Sequence, residues 1–243
     1  MWHTGIMIIA CVNQKGGVGK TTLAVHLAAW ARVLYRRVAL LDADMQRTAS
    51  RWVQRMERNI IVACEHEADA IIETAVELAT RNEIVVADGA ASLAESTRAL
   101  LLVADVAVIP CGASVPELEA TAATVRMLHT AQTVRERGRP NGLVALTRLR
   151  HDRCRLVREV PAAAASLGLP VCEHVLRLRE AVADAPGQGL VVWELGGRAR
   201  DAAIQIQTLC KEILDYAQST KKHAGVVDAG PKGLPEQLRS FAS

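Results

Sequence analysis

Aromatic residues are nearly missing: they make up 3% of the 243 residues, and Phe241 is the sole phenylalanine. A core without large rings must be built from Ala, Val, Leu and Ile, as in parallel sheets covered by helices on both faces. No apolar run approaches the ~18 residues expected of a membrane-spanning helix. Residues 1–4 lead directly into a short apolar segment without a signal-peptide pattern, so a cytoplasmic chain is expected. The six cysteines, Cys11, Cys64, Cys111, Cys154, Cys172 and Cys210, include no C-x-x-C pair. That argues for reduced, buried thiols and against a metal site. Charge of one sign is lacking too, since the net value is only +3 and predicts no partner. Its distribution says more: five arginines (Arg148, Arg150, Arg153, Arg155, Arg158) face one acid, Asp152, over residues 148–158, the makings of a basic surface.

A chain of this length with 50% hydrophobic residues buries one sizeable core. We expect a single domain over residues 1–218 and a disordered tail over 219–243, where Lys, Gly, Pro and Ser take over. Apolar runs predict strands over 6–12, 38–41, 60–64, 84–87, 106–109, 143–146 and 171–175. Between most of them lie helix-length segments, such as 21–35 with Leu23, Leu27, Ala31 and Leu34 at helical spacing. Strands alternating with helices predict an α/β fold, a doubly wound and mostly parallel sheet flanked by helices. Ala203, Ile206, Cys210, Ile213 and Ala217 recur every three to four residues and predict a closing helix.

The first strand runs into Lys15-Gly16-Gly17-Val18-Gly19-Lys20-Thr21-Thr22. This is a variant of the general phosphate loop, because Gln14 stands where that loop has its first glycine. The glycines let successive N–H groups curl around phosphate oxygens at the positive end of the following helix. Lys20 then reaches the β- and γ-phosphates, Thr21 offers a hydroxyl to Mg²⁺, and Thr22 can donate to the α-phosphate. Taken alone, Lys15 would read as a solvated loop lysine. The second strand ends in Asp42-Ala43-Asp44, with one carboxylate available to the Mg²⁺–Thr21 region and the other to the γ-phosphate. A further strand ends in Asp88-Gly89, the arrangement in which a carboxylate holds a water of the metal shell. Strand-terminal acids are also common as helix caps and turn formers, so each alone is ambiguous.

The run Asn13 to Thr22, with Asp42-Ala43-Asp44-Met45-Gln46 and Asp88-Gly89-Ala90, resembles the ParA/MinD superfamily of deviant Walker P-loop ATPases, and most nearly its small ParF-like partition members. Trp52, the segment 103–110 and Pro116-Glu117-Leu118-Glu119-Ala120 extend the likeness, which covers about residues 6–217. The resemblance implies ATP/ADP and Mg²⁺ as ligands, slow hydrolysis, and an ATP-sandwich homodimer in which Lys15 crosses to the partner's nucleotide. It further implies that Asp44 orients the attacking water while Asp42 and Asp88 support the metal shell through water. Met45 departs from the motif, which usually has proline there, and so implies a looser switch loop. Arg177-Leu178-Arg179-Glu180-Ala181 resembles a family segment whose arginine binds DNA without sequence preference, which makes Arg177 the first candidate DNA contact. A surface arginine paired with Glu180 is the bland alternative. On a helix, Arg148, Arg155 and Arg158 would share one face and could track phosphates.

The function implied is a nucleoid-associated ATPase that partitions plasmid or chromosomal DNA with a ParB-like centromere-binding partner. A positioning ATPase for a microcompartment, a chemoreceptor cluster or a conjugation complex, working through a cargo adaptor, is the alternative. A MinD-like membrane cycle would need a basic amphipathic C-terminal helix, and the breaker-rich residues 219–243 speak against it. An iron–sulfur ATPase would need a second cysteine to match Cys111, and none follows at a suitable place.

Overall fold

The computed structural model describes residues 6–56, 58–91, 93–135, 138–149 and 155–223, with backbone alone at 155–158 and 222–223. Seven strands form one sheet in the order β3-β2-β4-β1-β5-β6-β7. They are β1 (Met7–Cys11), β2 (Val38–Asp42), β3 (Ile61–Cys64), β4 (Ile84–Asp88), β5 (Val106–Cys111), β6 (Asn141–Leu149) and β7 (Leu176–Arg177). Every pairing is parallel. The helices are α1 (Lys20–Leu34), α2 (Thr48–Arg55), α3 (Ala68–Arg81), α4 (Ala94–Val103), α5 (Val115–Val134), α6 (Arg155–Ala165), α7 (Glu180–Gln188) and α8 (Arg200–His223). None is long and apolar enough to cross a membrane.

Strand alternation sorts the core into two layers. Met7, Ile9 and Cys11 of β1 pack with Leu23 and Leu27 of α1, Trp52 of α2, and Ile206, Leu209 and Ile213 of α8. Ile8 and Ala10 face the other way, into Ile71 of α3, Leu100 of α4 and Leu128 of α5. Small residues at Ala10, Ala39, Ala87 and Ala107, all fully buried, let helices sit close on that face. Both sides being covered explains why the central strands read as continuous apolar runs rather than alternating ones. The order reverses across β1, whose neighbours are β4 and β5. The carboxyl end of β1 is therefore the switch point at which open α/β sheets bind ligands.

Three expectations need correction. The last strand is not 171–175: Val171 makes only an isolated bridge with Val144, and the ladder resumes at Leu176. The Glu212 carboxylate on α8 accepts the Glu173 and His174 amides at 2.6 and 3.0 Å, which draws that stretch out of the ladder. The closing helix runs on to His223, past the expected end at 218; Lys221 donates to Ile6 O at 2.7 Å and ties it to the start of β1. Residues 224–243 of the expected tail lie outside the described residues. Finally, Arg148 belongs to β6 rather than to a helix shared with Arg155 and Arg158.

Candidate nucleotide site

Residues 12–19 connect β1 to α1, and the loop takes its shape from glycine: φ is 75° at Gly17 and 93° at Gly19, the left-handed region that costs side-chain-bearing residues most. Gly19 is the N-cap of α1 and supplies no side-chain cap, and no acid lies in the first turn. By contrast α4, α5 and α7 carry Glu95, Glu117 and Glu180 in theirs. The first amides of a helix have no partners within it, and here the dipole is left uncompensated as well. An anion is the complement.

The cation for that anion is in place. Lys20 is 6% exposed, and its ammonium donates to Lys15 O at 2.9 Å. Burial lowers its pKa, opposed by Asp88 and Asp44. Behind the loop, Asp42, Asp88 and Cys11 align across β2, β4 and β1 at the same strand level. Thr21 Oγ1 donates to Asp88 Oδ2 at 2.7 Å. The other Asp88 oxygen is buried without any partner. Burial pushes the Asp88 pKa up to about 8, eased by the Thr21 hydroxyl and raised further by Asp42. A hydroxyl beside an orphaned carboxylate oxygen is a donor set that fits a hydrated Mg²⁺.

Asp42 holds two backbone amides. Its Oδ1 accepts the Asp44 amide at 3.1 Å and its Oδ2 accepts the Ser50 amide at 2.8 Å in the first turn of α2. It directly braces the loop between β2 and α2. Asp44 is half-buried and closes a turn by accepting the Gln46 amide at 2.9 Å. Met45, in the position of the expected proline, is 65% exposed. Lys15 and Gly16 of the phosphate loop are exposed as well.

The candidate DNA contacts are not brought together by the described side chains. Arg177 is half-buried in β7. The Arg148 guanidinium donates to Gly17 O, at the phosphate loop itself. The side chains of Arg155 and Arg158 lie outside the described residues.

Two supports of the loop escaped the sequence reading. Fully buried Asn13 donates to Pro110 O and Thr121 Oγ1 at 2.8 and 3.0 Å and accepts the Lys15 amide at 2.9 Å, which fixes the exit from β1. A polar residue closing an apolar strand just before the glycines was the available signal. His26, one turn beyond Thr22 on α1, is also fully buried. Its Nδ1 lies 2.7 Å from Thr22 O and its Nε2 accepts the Val192 amide at 3.1 Å, so the neutral ring protonated on Nδ1 satisfies both bonds. Its ring meets Trp52 and Trp193 edge-on at 5.3 and 5.5 Å between centroids.

Burial lowers the His26 pKa to about 4, against the opposing effects of the Thr22 carbonyl and Glu194. An unfolded histidine titrates near 6.5. Between those values the unfolded chain binds a proton that the folded one refuses, so this residue's contribution is complete above pH ~6.5 and is lost as pH falls toward 4. From pH 7 to 5 the loss is about 2 kcal/mol. Urea unfolding at both pH values should show a pH 7-to-5 loss about 2 kcal/mol smaller in His26→Gln than in wild type; equal losses would remove His26 from the account.

The chain resembles known proteins along most of its length. The maintenance of carboxysome distribution protein A of Halothiobacillus neapolitanus is 28% identical over 212 residues, 85% of this chain and 95% of the relative. The chromosome-partitioning ATPase Soj of Thermus thermophilus is 50% identical, but over only 50 residues, 21% of this chain and 20% of that protein. Among solved structures, the ATP complex of a Cyanothece McdA variant superposes with a TM-score of 0.73 at 15% identity, covering 88% of this chain and 98% of its own, a likeness of fold. Residues 9–192 match the CobQ/CobB/MinD/ParA nucleotide binding domain, and the chain belongs to that family.

Proposed function

We propose that this chain is a Mg²⁺-dependent ATPase of the ParA/MinD type that positions a protein cargo, using ATP-driven dimerisation as its switch. The observation that carries this reading is the span of the likeness: the carboxysome-distribution relative matches across nearly its full length, the partition ATPase only across about a fifth. In this reading Gly16 to Thr22 cradle the phosphates, and Lys20 leaves Lys15 O for the β- and γ-oxygens. Mg²⁺, when bound, supplies charge neutralisation across those oxygens. Thr21 and Asp88 would hold it, with Asp42 supporting the shell at one remove. Asp44 orients water from the loop that Asp42 braces, and Lys15 serves the nucleotide of a second copy. Catalysis is positioning and electrostatics, without a covalent intermediate.

Nucleoid DNA is the surface we infer for the ATP dimer, with Arg177, Arg155 and Arg158 as contacts. Two copies double the phosphate contacts, so pairing by ATP turns a modest basic surface into a useful one. Retention on unrelated duplexes should require ATP, fail with ADP, and fall steeply between low and moderate salt. No retention in any nucleotide state would overturn the nucleoid part of the proposal. The second reading, DNA partition with a ParB-like partner, draws on the local identity to Soj. Deleting the gene separates the two. Protein cargo that clumps while DNA is inherited normally supports positioning; plasmid or chromosome loss with cargo undisturbed supports partition.

A further inference from the structure

Two adjacent residues at the end of β6 hold two adjacent carbonyls of the phosphate loop. Thr147 Oγ1 donates to Val18 O at 2.6 Å, and Arg148 Nη1 donates to Gly17 O. On a regular strand, successive side chains point to opposite faces, so two neighbours reaching one loop requires a distortion. It is present: Arg148 has φ of 56°, and the β6–β7 register shifts between Thr147 and Leu149. The left-handed conformation is unfavourable for any residue with a Cβ, and Arg148 adopts it without being glycine. Gly17 is shaped to the same contact, since a Cβ there would lie 3.3 Å from Arg148 Nη1.

The consequence follows from the planar trans peptide, in which C=O and N–H point in opposite directions. A donor fixed on Gly17 O turns the Val18 N–H away from β6, and a donor fixed on Val18 O does the same for the Gly19 N–H. These are amides that an anion in the loop would need. Lys20 holds Lys15 O in a similar way, but that grip is released once its ammonium moves to a phosphate, whereas the bonds of Thr147 and Arg148 to the loop carbonyls do not use a phosphate-binding group. We propose that Thr147 and Arg148 form a carbonyl clamp that pre-aims the Val18 and Gly19 amides at the phosphates of the nucleotide. They are positioning residues that touch the loop and not the ligand. The proposal rests on the nucleotide-binding reading above and moves Arg148 from the DNA surface to the phosphate site. Thr147 is fully buried while Arg148 is exposed. The threonine therefore also carries core packing, whereas among the described residues the Arg148 guanidinium bonds to the loop.

Because glycine tolerates the left-handed region, Arg148→Gly separates the clamp from the fold. It relieves the backbone while removing the donor. Calorimetric titration with Mg²⁺·ADP, which does not depend on dimerisation, and with inorganic pyrophosphate, which tests the phosphate cradle alone, is the measurement. Arg148→Gly should bind both about tenfold more weakly, the effect of one lost hydrogen bond to the loop. Its ligand-free melting temperature should be unchanged or higher. Arg148→Lys should recover part of the affinity. Thr147→Val should lose about tenfold and Thr147→Ser should restore it. Wild-type affinity for both ligands in Arg148→Gly would overturn the clamp, as would affinity losses that merely track lowered melting temperatures across the series. Wild-type protein that binds neither ADP nor ATP would instead overturn the nucleotide-binding reading on which the clamp rests.

Discussion

Lys20→Ala is expected to abolish measurable nucleotide binding while leaving the protein folded. Lys20 is the buried cation of the loop, and its ammonium already sits within the cradle on Lys15 O. Removing one partner of a desolvated, hydrogen-bonded charge pair costs about 4 kcal/mol, roughly a thousandfold in affinity. In the ligand-free protein the same side chain bears a desolvation penalty that lowers its pKa, so its loss relieves one cost as it removes one contact. Circular dichroism should therefore be unchanged, while titration with ATP or ADP gives no heat of binding. Binding within tenfold of wild type would mean that the phosphates are held elsewhere.

Lys15→Ala is expected to have an equally large effect on a different measurement. Lys15 is exposed, and its backbone amide is fixed by Asn13 while its carbonyl holds Lys20. The backbone at this position thus belongs to the subunit's own loop, and the side chain is left to reach outward. Removing it should leave nucleotide affinity of the monomer within about threefold, since none of the loop's own hydrogen bonds is lost. ATP-dependent dimerisation should disappear, because two symmetric charge-to-phosphate contacts vanish together and their cost is paid twice. Sedimentation with a non-hydrolysable ATP analogue checks this. A normal dimer would reduce Lys15 to a solvated loop lysine.

The parts of the site legible in the sequence were those where one residue type has one physical use. Glycines at Gly17 and Gly19 signal left-handed backbone, and lysine with threonine after them signals phosphate and metal. The apolar strands were legible because the sheet is covered on both faces. Other parts depend on contacts far apart in the chain. That the strand-terminal acid Asp42 also accepts a backbone amide from α2 is decided by where Ser50 falls, and nothing local encodes that. The misplaced last strand has the same origin, in a carboxylate at Glu212 nearly forty residues downstream of the amides it captures. Arg148 looked like one member of a basic run because charge is visible in sequence and backbone twist is not; its left-handed φ turns it toward a loop some 130 residues earlier.

The aromatic cluster behind α1 has an optical consequence. Trp30 and Trp193 meet at 5.8 Å between centroids, and His26 bridges Trp193 to Trp52. Tyr35 and Tyr216 pack against the same layer. The opposite layer, built on α3, α4 and α5, contains no tryptophan among the described residues. The emission of Trp30, Trp52 and Trp193 is thus a one-sided probe. It responds to any shift of α2 against α1, the helices that follow the Asp44 loop and the phosphate loop, through Trp52 and its 3.0 Å bond to Leu190 O. Rearrangements confined to the far side of the sheet leave these three indoles silent.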